Sequence, residues 1–297
     1  MNEMIIDGNS LFARCWFAVR GDVPEALRVA VNLVLALMDR ERGNIEMPIH
    51  RTLFAWDGRP KTDKNRDPKP REYGTTMYRF QEALLTLFNT VHGFHEDFEA
   101  DDIVATAAYS STAEQVYVVS GDKDLMQLQG GNVAYYCLNA KGLLSPRAIC
   151  HKFGVKQPNQ AAIALAILGD RGDNISGIPR WGPKKVQKIF EAVTDKMNFC
   201  EALRVVQDQI PEGELLDLFM ASLDKTLLHM DVPGVPEPTD LVFCSSQEVI
   251  QAGIHGVSQS YERVAQQYED GSAVDEMLKD SSAEPGRQSR GRRSGLP

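Results

Sequence analysis

Apolar runs alternate with amphipathic stretches along the first half of the chain. "MIID" predicts a short apolar strand ending in Asp7, and after Gly8 the apolar stretch from Leu11 to Val19 suits a helix. Pro24 opens a segment in which Leu27, Val31, Val34 and Met38 recur at helical spacing, ending near Gly43. "IHRTLFAW" (49–56) predicts a second buried strand, and it too runs into an Asp-Gly pair, Asp57 and Gly58. A polar, proline-bearing stretch from 58 to 74 comes next, then an amphipathic helix marked by Met77, Phe80, Leu84, Phe88 and Val91. "GFHEDFE" predicts a short strand, "ADDIVATAAYS" a helix, and "QVYVVS" a third clear strand, again followed by acids in "GDKD" (121–124). Strands alternating with helices predict an α/β fold, a mostly parallel central sheet flanked by helices on both faces.

The pattern changes after "NVAYYCL" (132–138). Ser145 caps a helix with Pro146 at its first position, "PNQAAIALAIL" (158–168) reads as a strongly buried helix, and helices between about 196 and 230 carry the rest of the core. From about residue 270 the composition shifts to Ser, Gly, Asp and Arg, the signature of a disordered tail.

The strand ends are where chemistry enters. In open α/β sheets ligands bind at the carboxyl ends of the strands, and Asp7, Asp57, Asp122 and Asp124 all project from that edge. The helix after "DFEADD" opens there too, carrying Glu99, Asp101 and Asp102. Helix capping and the macrodipole explain one or two such acids. Yet two unit charges about 4 Å apart repel by roughly 4 kcal/mol at an effective dielectric of about 20, and a hard divalent cation would reverse that cost. In "LGDRGDNISGIPRWGPKKVQKIF" (168–190), Asp170 and Asp173 are three apart, so both carboxylates can share one side of a turn. The following helix starts with Pro183, Lys184 and Lys185, a positive end suited to a phosphate oxygen.

Composition narrows the classes. No run of eighteen apolar residues exists and Met1 leads into "NEMIID", so a cytoplasmic protein with no membrane partner is expected. Five scattered cysteines without C-x-x-C argue for reduced packing residues, and His92 with His95 reads as a surface or loop pair. The net charge of -9 opposes a nucleic-acid partner, but "RPKTDKNRDPKPR" (59–71) and "RQSRGRR" (287–293) are locally basic.

Taken in order, "IIDGN", "FAWDG", "FEADDIVAT", "VVSGDKD" and "LGDRGDNISGIPRWGPKK" resemble the 5′-nuclease family of flap endonucleases, phage 5′-to-3′ exonucleases and the 5′-nuclease domains of bacterial DNA polymerases, over roughly residues 3 to 255. The resemblance implies a PIN-like or resolvase-like 5′-nuclease core at 1–144, with a short arch or gateway at about 58–90. It also implies a helical DNA-binding region at 145–265 with a helix-hairpin element at about 169–192, and leaves 266–297 as a basic tail. It implies two divalent ions, magnesium or manganese, held among Asp7, Asp57, Glu99, Asp101, Asp102, Asp122, Asp124, Asp170 and Asp173. Asp97 has no counterpart in the pattern and reads as a solvated surface acid. The implied partners are DNA with 5′ ends, nicks or flaps and RNA·DNA hybrids, bound by a monomer that is free-standing and phage-like, acting in replication primer removal in the cytoplasm, a host's if phage-encoded.

Two departures qualify the resemblance. The family's arch supplies a catalytic Lys and Arg, here Lys64 and Arg66, but Asp63 stands where a tyrosine is usual and the arch is short, so Lys69 or Arg71 are alternatives. In "GIPRWG", Arg180 and Trp181 replace small residues of a hairpin that binds duplex backbone through Arg180, Lys184 and Lys185 and whose loop carbonyls would hold a potassium ion; the missing Gly puts that ion in doubt. A catalytically silent DNA-binding accessory protein of the same fold is a second reading. A third is a metal-dependent phosphatase, though Asn9 stands where such enzymes need an acid.

Overall fold

The computed structural model describes residues 1–41, 43, 45, 47–58, 69–244, 257 and 259–269. The proposed arch residues Lys64 and Arg66, with Asp63, and the tail from 270 lie outside the described residues, as do the tail arginines.

The alternating pattern of the first half folds as β1 (Asn2–Asp7), α1 (Gly8–Ala18), α2 (Val23–Met38), β2 (Arg51–Trp56), α3 (Arg71–Phe88), β3 (Val91–Phe94), α4 (Ala100–Ser110) and β4 (Gln115–Ser120). A short 3-10 turn (Asp124–Leu128) leads to β5 (Val133–Cys137) and β6 (Gly142–Leu143). The sheet order is β3-β2-β1-β4-β5-β6. All neighbours through β5 run parallel, and β6 returns antiparallel to β5. The chain therefore winds outward from β1 in one direction and then from β4 in the other, making β1/β4 the switch point where open parallel sheets bind ligands.

Side chains alternate across these strands as the period of two demands. Ile5, Leu53, Val116 and Val118 face a core built with α4 and the C-terminal helices α5 (Pro146–Phe153), α6 (Ala161–Leu168), α7 (Pro183–Phe190), α8 (Phe199–Gln207) and α9 (Glu214–Thr226). Met4, Ile6, Phe54 and Val119 face a second core with α1, α2 and α3, completed by Val257, Tyr261 and Val264. The expected α/β class with helices on both faces and a helical C-terminal region is the observed one.

Three details differ from the sequence expectation. The third strand is Val91–Phe94 rather than "GFHEDFE". Gly58 donates its N–H to Phe98 O, and a Cβ on Gly58 would lie 2.1 Å from His95 O, so the chain must turn at this close approach instead of extending. His92, read as a surface or loop residue, lies half-buried against Phe54 and Trp56, and burial pushes its pKa down to about 4. Finally, the helical second half also sends β7 (Thr239–Asp240) back to pair antiparallel with β2, a two-residue pairing that no local periodicity announces.

The helical stretch 259–269 clasps the opposite end of the sequence. Asp39, 1% exposed at the end of α2, accepts from Arg263 Nη2 at 2.8 Å and from Gln267 Nε2 at 3.1 Å. Tyr261 donates its hydroxyl to Leu87 O at 2.7 Å. A carboxylate this deep is tolerated because it is paired. Removing its partner leaves the charge uncompensated, at a cost usually of about 3–5 kcal/mol. Because Arg263 is partly exposed and Gln267 remains, Arg263→Ala is expected to lower the unfolding free energy by about 2–3 kcal/mol, at or below the bottom of that range. The check is a urea titration, where the midpoint should fall with an unchanged slope; an unshifted midpoint would show that the pair contributes nothing.

Candidate active site

Asp7 ends β1 and caps α1, its Oδ1 accepting from Ser10 N at 2.9 Å while Oδ2 accepts from Ser120 Oγ at 2.7 Å. Ser120 ends the neighbouring strand β4, and its Oγ also accepts from Asp122 N at 2.9 Å. Parallel pairing of β1 with β4 brings these two strand ends together. On the other side of β1, Asn9 and Asp57 clasp each other: Asn9 Nδ2 donates to Asp57 Oδ2 at 2.6 Å, and Asp57 N donates to Asn9 Oδ1 at 3.0 Å. Gly8 between them cannot be larger, since a Cβ there would lie 2.6 Å from the Trp56 ring.

The acids that open α4 are not there to cap it. Glu99 occupies the cap position without a side-chain cap hydrogen bond, whereas Asp57 Oδ1, from another strand, accepts from Ala100 N at 3.0 Å. Glu99 and Asp101 instead line a cleft of about 520 Å³ with Asp7, Asp57, Asp122, Asp170 and Asp173. Asp102 and Asp124 line an adjoining pocket that shares Glu99, Asp101 and Asp173 with the cleft. Asp102 is turned toward the chain after α9, its Oδ1 accepting from His229 N at 2.9 Å. Asp97 is exposed, away from both.

Burial and like charge set the electrostatics. Asp7 is pushed up to about 7 by desolvation, with repulsion from Asp57 and Asp122 adding to it and the hydrogen bonds from Ser10 and Ser120 opposing. Asp124 is likewise pushed up to about 7 by desolvation first and by Asp122 second, and its buried Oδ1 has no hydrogen-bond partner. Burial also acts on Asp170, but Lys123 and the Gly172 N–H outweigh it and hold that carboxyl below its ordinary value. Lys123, between Asp122 and Asp124 in sequence, forms an ion pair with Asp170.

Cationic groups reach the same cleft. Lys69 lines it, its Nζ 3.1 Å from the Tyr73 hydroxyl and 4.2 Å from the ring centre; Lys152, from α5, lines the opposite sequence neighbourhood together with Asn139. Arg71 begins α3 on the surface. Arg180, Lys184 and Lys185 stand apart from the acids, exposed at the start of α7, with Lys185 Nζ 4.6 Å over the Trp181 ring. Arg180 itself takes φ 67°, the left-handed conformation that a glycine would have supplied.

Every acid donor in the cleft is a carboxylate oxygen, the ligand chemistry of hard divalent ions, and Asp124 Oδ1 is a buried acceptor with nothing to accept from. The donor set fits such ions, although among the described residues no three His, Cys, Asp or Glu side chains already stand at coordinating spacing. The acids ring a space rather than closing on a point. Sequence reasoning passed over the residues that hold them: Asn9 and Ser10 stand two and three positions after Asp7, Ser120 precedes "GDKD", and Tyr135 donates its hydroxyl to the carbonyls of Ser120 and Asp122. Asn9 and Lys123 sat inside recognised motifs and could have been flagged; Tyr135 required the β4–β5 register.

Comparison with known proteins agrees with this architecture. Residues 2–154 match the family described as 5′-3′ exonuclease, N-terminal resolvase-like domain. DNA polymerase I of Caldicellulosiruptor bescii is 26% identical over 250 residues, 76% of this chain, and that of Mycobacterium tuberculosis 29% identical over 264 residues, 80% of this chain. The chain spans only 28% of the length of each. Among solved structures, a bacteriophage T5 flap endonuclease described as a pseudo-enzyme-product complex with DNA and metal ions superposes with TM-score 0.55 at 18% identity, covering 94% of this chain and 97% of that one. The catalytic core of Rad2 in complex with DNA substrate superposes with TM-score 0.57 at 14% identity, covering 93% of this chain and 91% of that one. These likenesses establish the shared fold. With the matched domain spanning more than half of its residues, the chain belongs to the 5′-3′ exonuclease family.

Proposed function

We infer that the chain is a metal-dependent 5′ nuclease that hydrolyses phosphodiesters at a 5′ end, nick or flap of DNA, and in RNA·DNA hybrids, as in removal of replication primers. The observation that carries this is the cleft: seven carboxylates from the ends of β1, β2 and β4, the start of α4 and the loop after α6 meet at the switch point of a parallel sheet, where at least one is desolvated enough to sit near pKa 7. The relatives described with metal ions and with DNA support the same reading.

In this proposal Asp7, Asp57, Glu99, Asp101, Asp122, Asp170 and Asp173 hold two magnesium or manganese ions, with Asp102 and Asp124 as outlying members. Such ions, held by these carboxylates, would supply a hydroxide near neutral pH and would stabilise negative charge on the leaving oxygen. Ser120 and Asn9 keep the Asp7 and Asp57 carboxylates aimed by hydrogen bonds that fix their rotamers. Lys69, at the rim, steadies a non-bridging phosphate oxygen; it is the described cation best placed for the role first assigned to Lys64 and Arg66. Residues 145–265 grip duplex through Arg180, Lys184 and Lys185, whose exposed N–H groups and charge at the α7 start suit phosphate without reading bases. In this proposal the hairpin loop, where Arg180 takes a left-handed φ of 67°, is where the family's potassium ion would sit. Seven carboxylates gathered in one cleft, with an exposed basic helix start elsewhere on the same chain, favour this reading over a catalytically silent binding protein or a small-ester phosphatase.

Asp122→Asn is expected to abolish magnesium-dependent cleavage of 5′-labelled flap and nicked duplexes while leaving duplex binding intact; full activity would remove Asp122 from the site. Lys69→Ala should lower single-turnover kcat by roughly 10²–10³-fold, the usual cost of one charge-stabilising donor, and an unchanged rate would return that role to Lys64 or Arg66. A third outcome concerns pH. Asp7, with a folded-state pKa of about 7 against an ordinary 3.8, binds its proton more tightly folded than unfolded. Without divalent ions the fold is therefore favoured at low pH and loses that increment as pH rises from about 4 through 7. In urea unfolding with chelator present, the stability of Asp7→Asn relative to wild type should rise between pH 5 and 8, and added magnesium should restore wild type more than the variant. A gap independent of pH would contradict the buried charge.

A further inference from the structure

The chain carries 41 Asp and Glu among 297 residues, yet none falls between Leu125 and Gly169. That stretch contains Lys141, Arg147, Lys152 and Lys156, together with His151, and it builds β5, β6, α5 and α6. On α5 the buried residues are Ile149 and Phe153, so Arg147, His151 and Lys152 face solvent, as does Lys156 just beyond the helix. Among the described residues Arg147, Lys152 and Lys156 make no ion pair. In a protein with net charge -9, a basic face built from a stretch without Asp or Glu is suited to an anionic partner.

Its position says which anion. Lys152 lines the acidic cleft, while Arg147 and Lys156 line a groove on the far side of α5. The end of α5 abuts α7: a Cβ on Gly154 would lie 2.9 Å from Gln187 Cγ, and Gln187 shares its helix face with Lys184, three residues before it. The end of α5 and the α7 helix thus adjoin at Gly154, so the basic residues of the α7 start and of α5 lie on neighbouring elements. The groove is furnished for phosphates and sugars rather than bases. Beside its two cations it presents the amides of Gln129 and Asn159, a single carboxylate, Asp195, and no aromatic ring, while Gln127 and Gln157 spend their Nε2 groups on backbone carbonyls. Single strands are bound through aromatic stacking, whereas duplex is gripped through its backbone by cations and neutral hydrogen-bonding groups.

We propose that the α5 face, through Arg147 and Lys156, is a second phosphate-binding surface that extends the grip on duplex beyond the helix-hairpin element. It rests on the nuclease reading above.

The test compares wild type with Arg147→Gln/Lys156→Gln, both exposed positions, for binding to nicked duplex without divalent cation at 50–200 mM salt. Each phosphate contact to B-DNA contributes about 0.9 to the slope of log K against log salt, so the double variant should lose about 1.8 from that slope. The ratio of wild-type to variant affinity should then grow about tenfold between 200 and 50 mM salt. Arg147→Lys/Lys156→Arg should restore the slope. Cys150, which lines the groove, gives a second reading: duplex long enough to reach α5 should slow its alkylation, while that of Cys200, exposed on α8, is unaffected. An unchanged slope with unprotected Cys150, in a wild type that still binds and cleaves duplex, overturns the α5 surface alone. A loss confined to single-stranded 5′ tails overturns the duplex assignment. A wild type that binds no duplex at all overturns the nuclease reading instead.

Discussion

The structure depends on keeping like charges close together out of water. Asp7 sits at the centre of this constraint, on the middle strand of the sheet, with Asp57 on one side and Asp122 on the other. Left to themselves these carboxylates would separate or take up protons. The fold prevents the first by anchoring each to a rigid neighbour: Asp7 to the α1 N-terminus and Ser120, Asp57 to Asn9 and the α4 N-terminus, Asp122 to the backbone of its own turn. Raised pKa values at Asp7 and Asp124 are the residue of that constraint, strain held in place by hydrogen bonds whose donors are mostly backbone.

Much of this was legible in the sequence because it follows from strand ends. Once "MIID", "FAWD" and "VVSGD" are read as parallel strands, their terminal acids must share an edge, and the structure brings Asp7, Asp57 and Asp122 to one cleft. What the sequence withheld depends on register and tertiary contact. Whether Ser120 or its neighbour meets Asp7 turns on a one-residue choice of pairing between β1 and β4, and the Tyr135 hydroxyl finds the Ser120 carbonyl only through the β4–β5 pairing. Asp102 and Asp101 are adjacent, yet 100° of helical rotation sends one toward His229 and the other toward the cleft. The clasp between Asp39 and Arg263 has no local signature at all, since neither belongs to a motif and they meet only when the whole sheet is in place.

The departures from the family pattern are resolved by the backbone more than by side chains. Trp181 and Arg180 replace small residues of the hairpin, but Arg180 adopts the left-handed geometry itself and Trp181 lies under Lys185. Arg180 is exposed and Trp181 packs partly against the core, while Gly169 and Gly177 keep the inner turn closed: a Cβ on Gly177 would lie 2.5 Å from Gly169 N. The inner part of the loop is thus sterically fixed, whereas its outer part accommodates larger side chains.

The clasp between Asp39 and Arg263 also bears on how the molecule comes into being. These partners lie 224 positions apart, so a ribosome releases α2 and most of the sheet long before Arg263 emerges. Until then the nascent N-terminal layer carries an uncompensated carboxylate and an apolar surface still waiting for Tyr261 and Val264. Translation therefore delivers the acidic cleft well before the strap that holds α2, and the nascent chain is most exposed to proteolysis and misassociation during that interval.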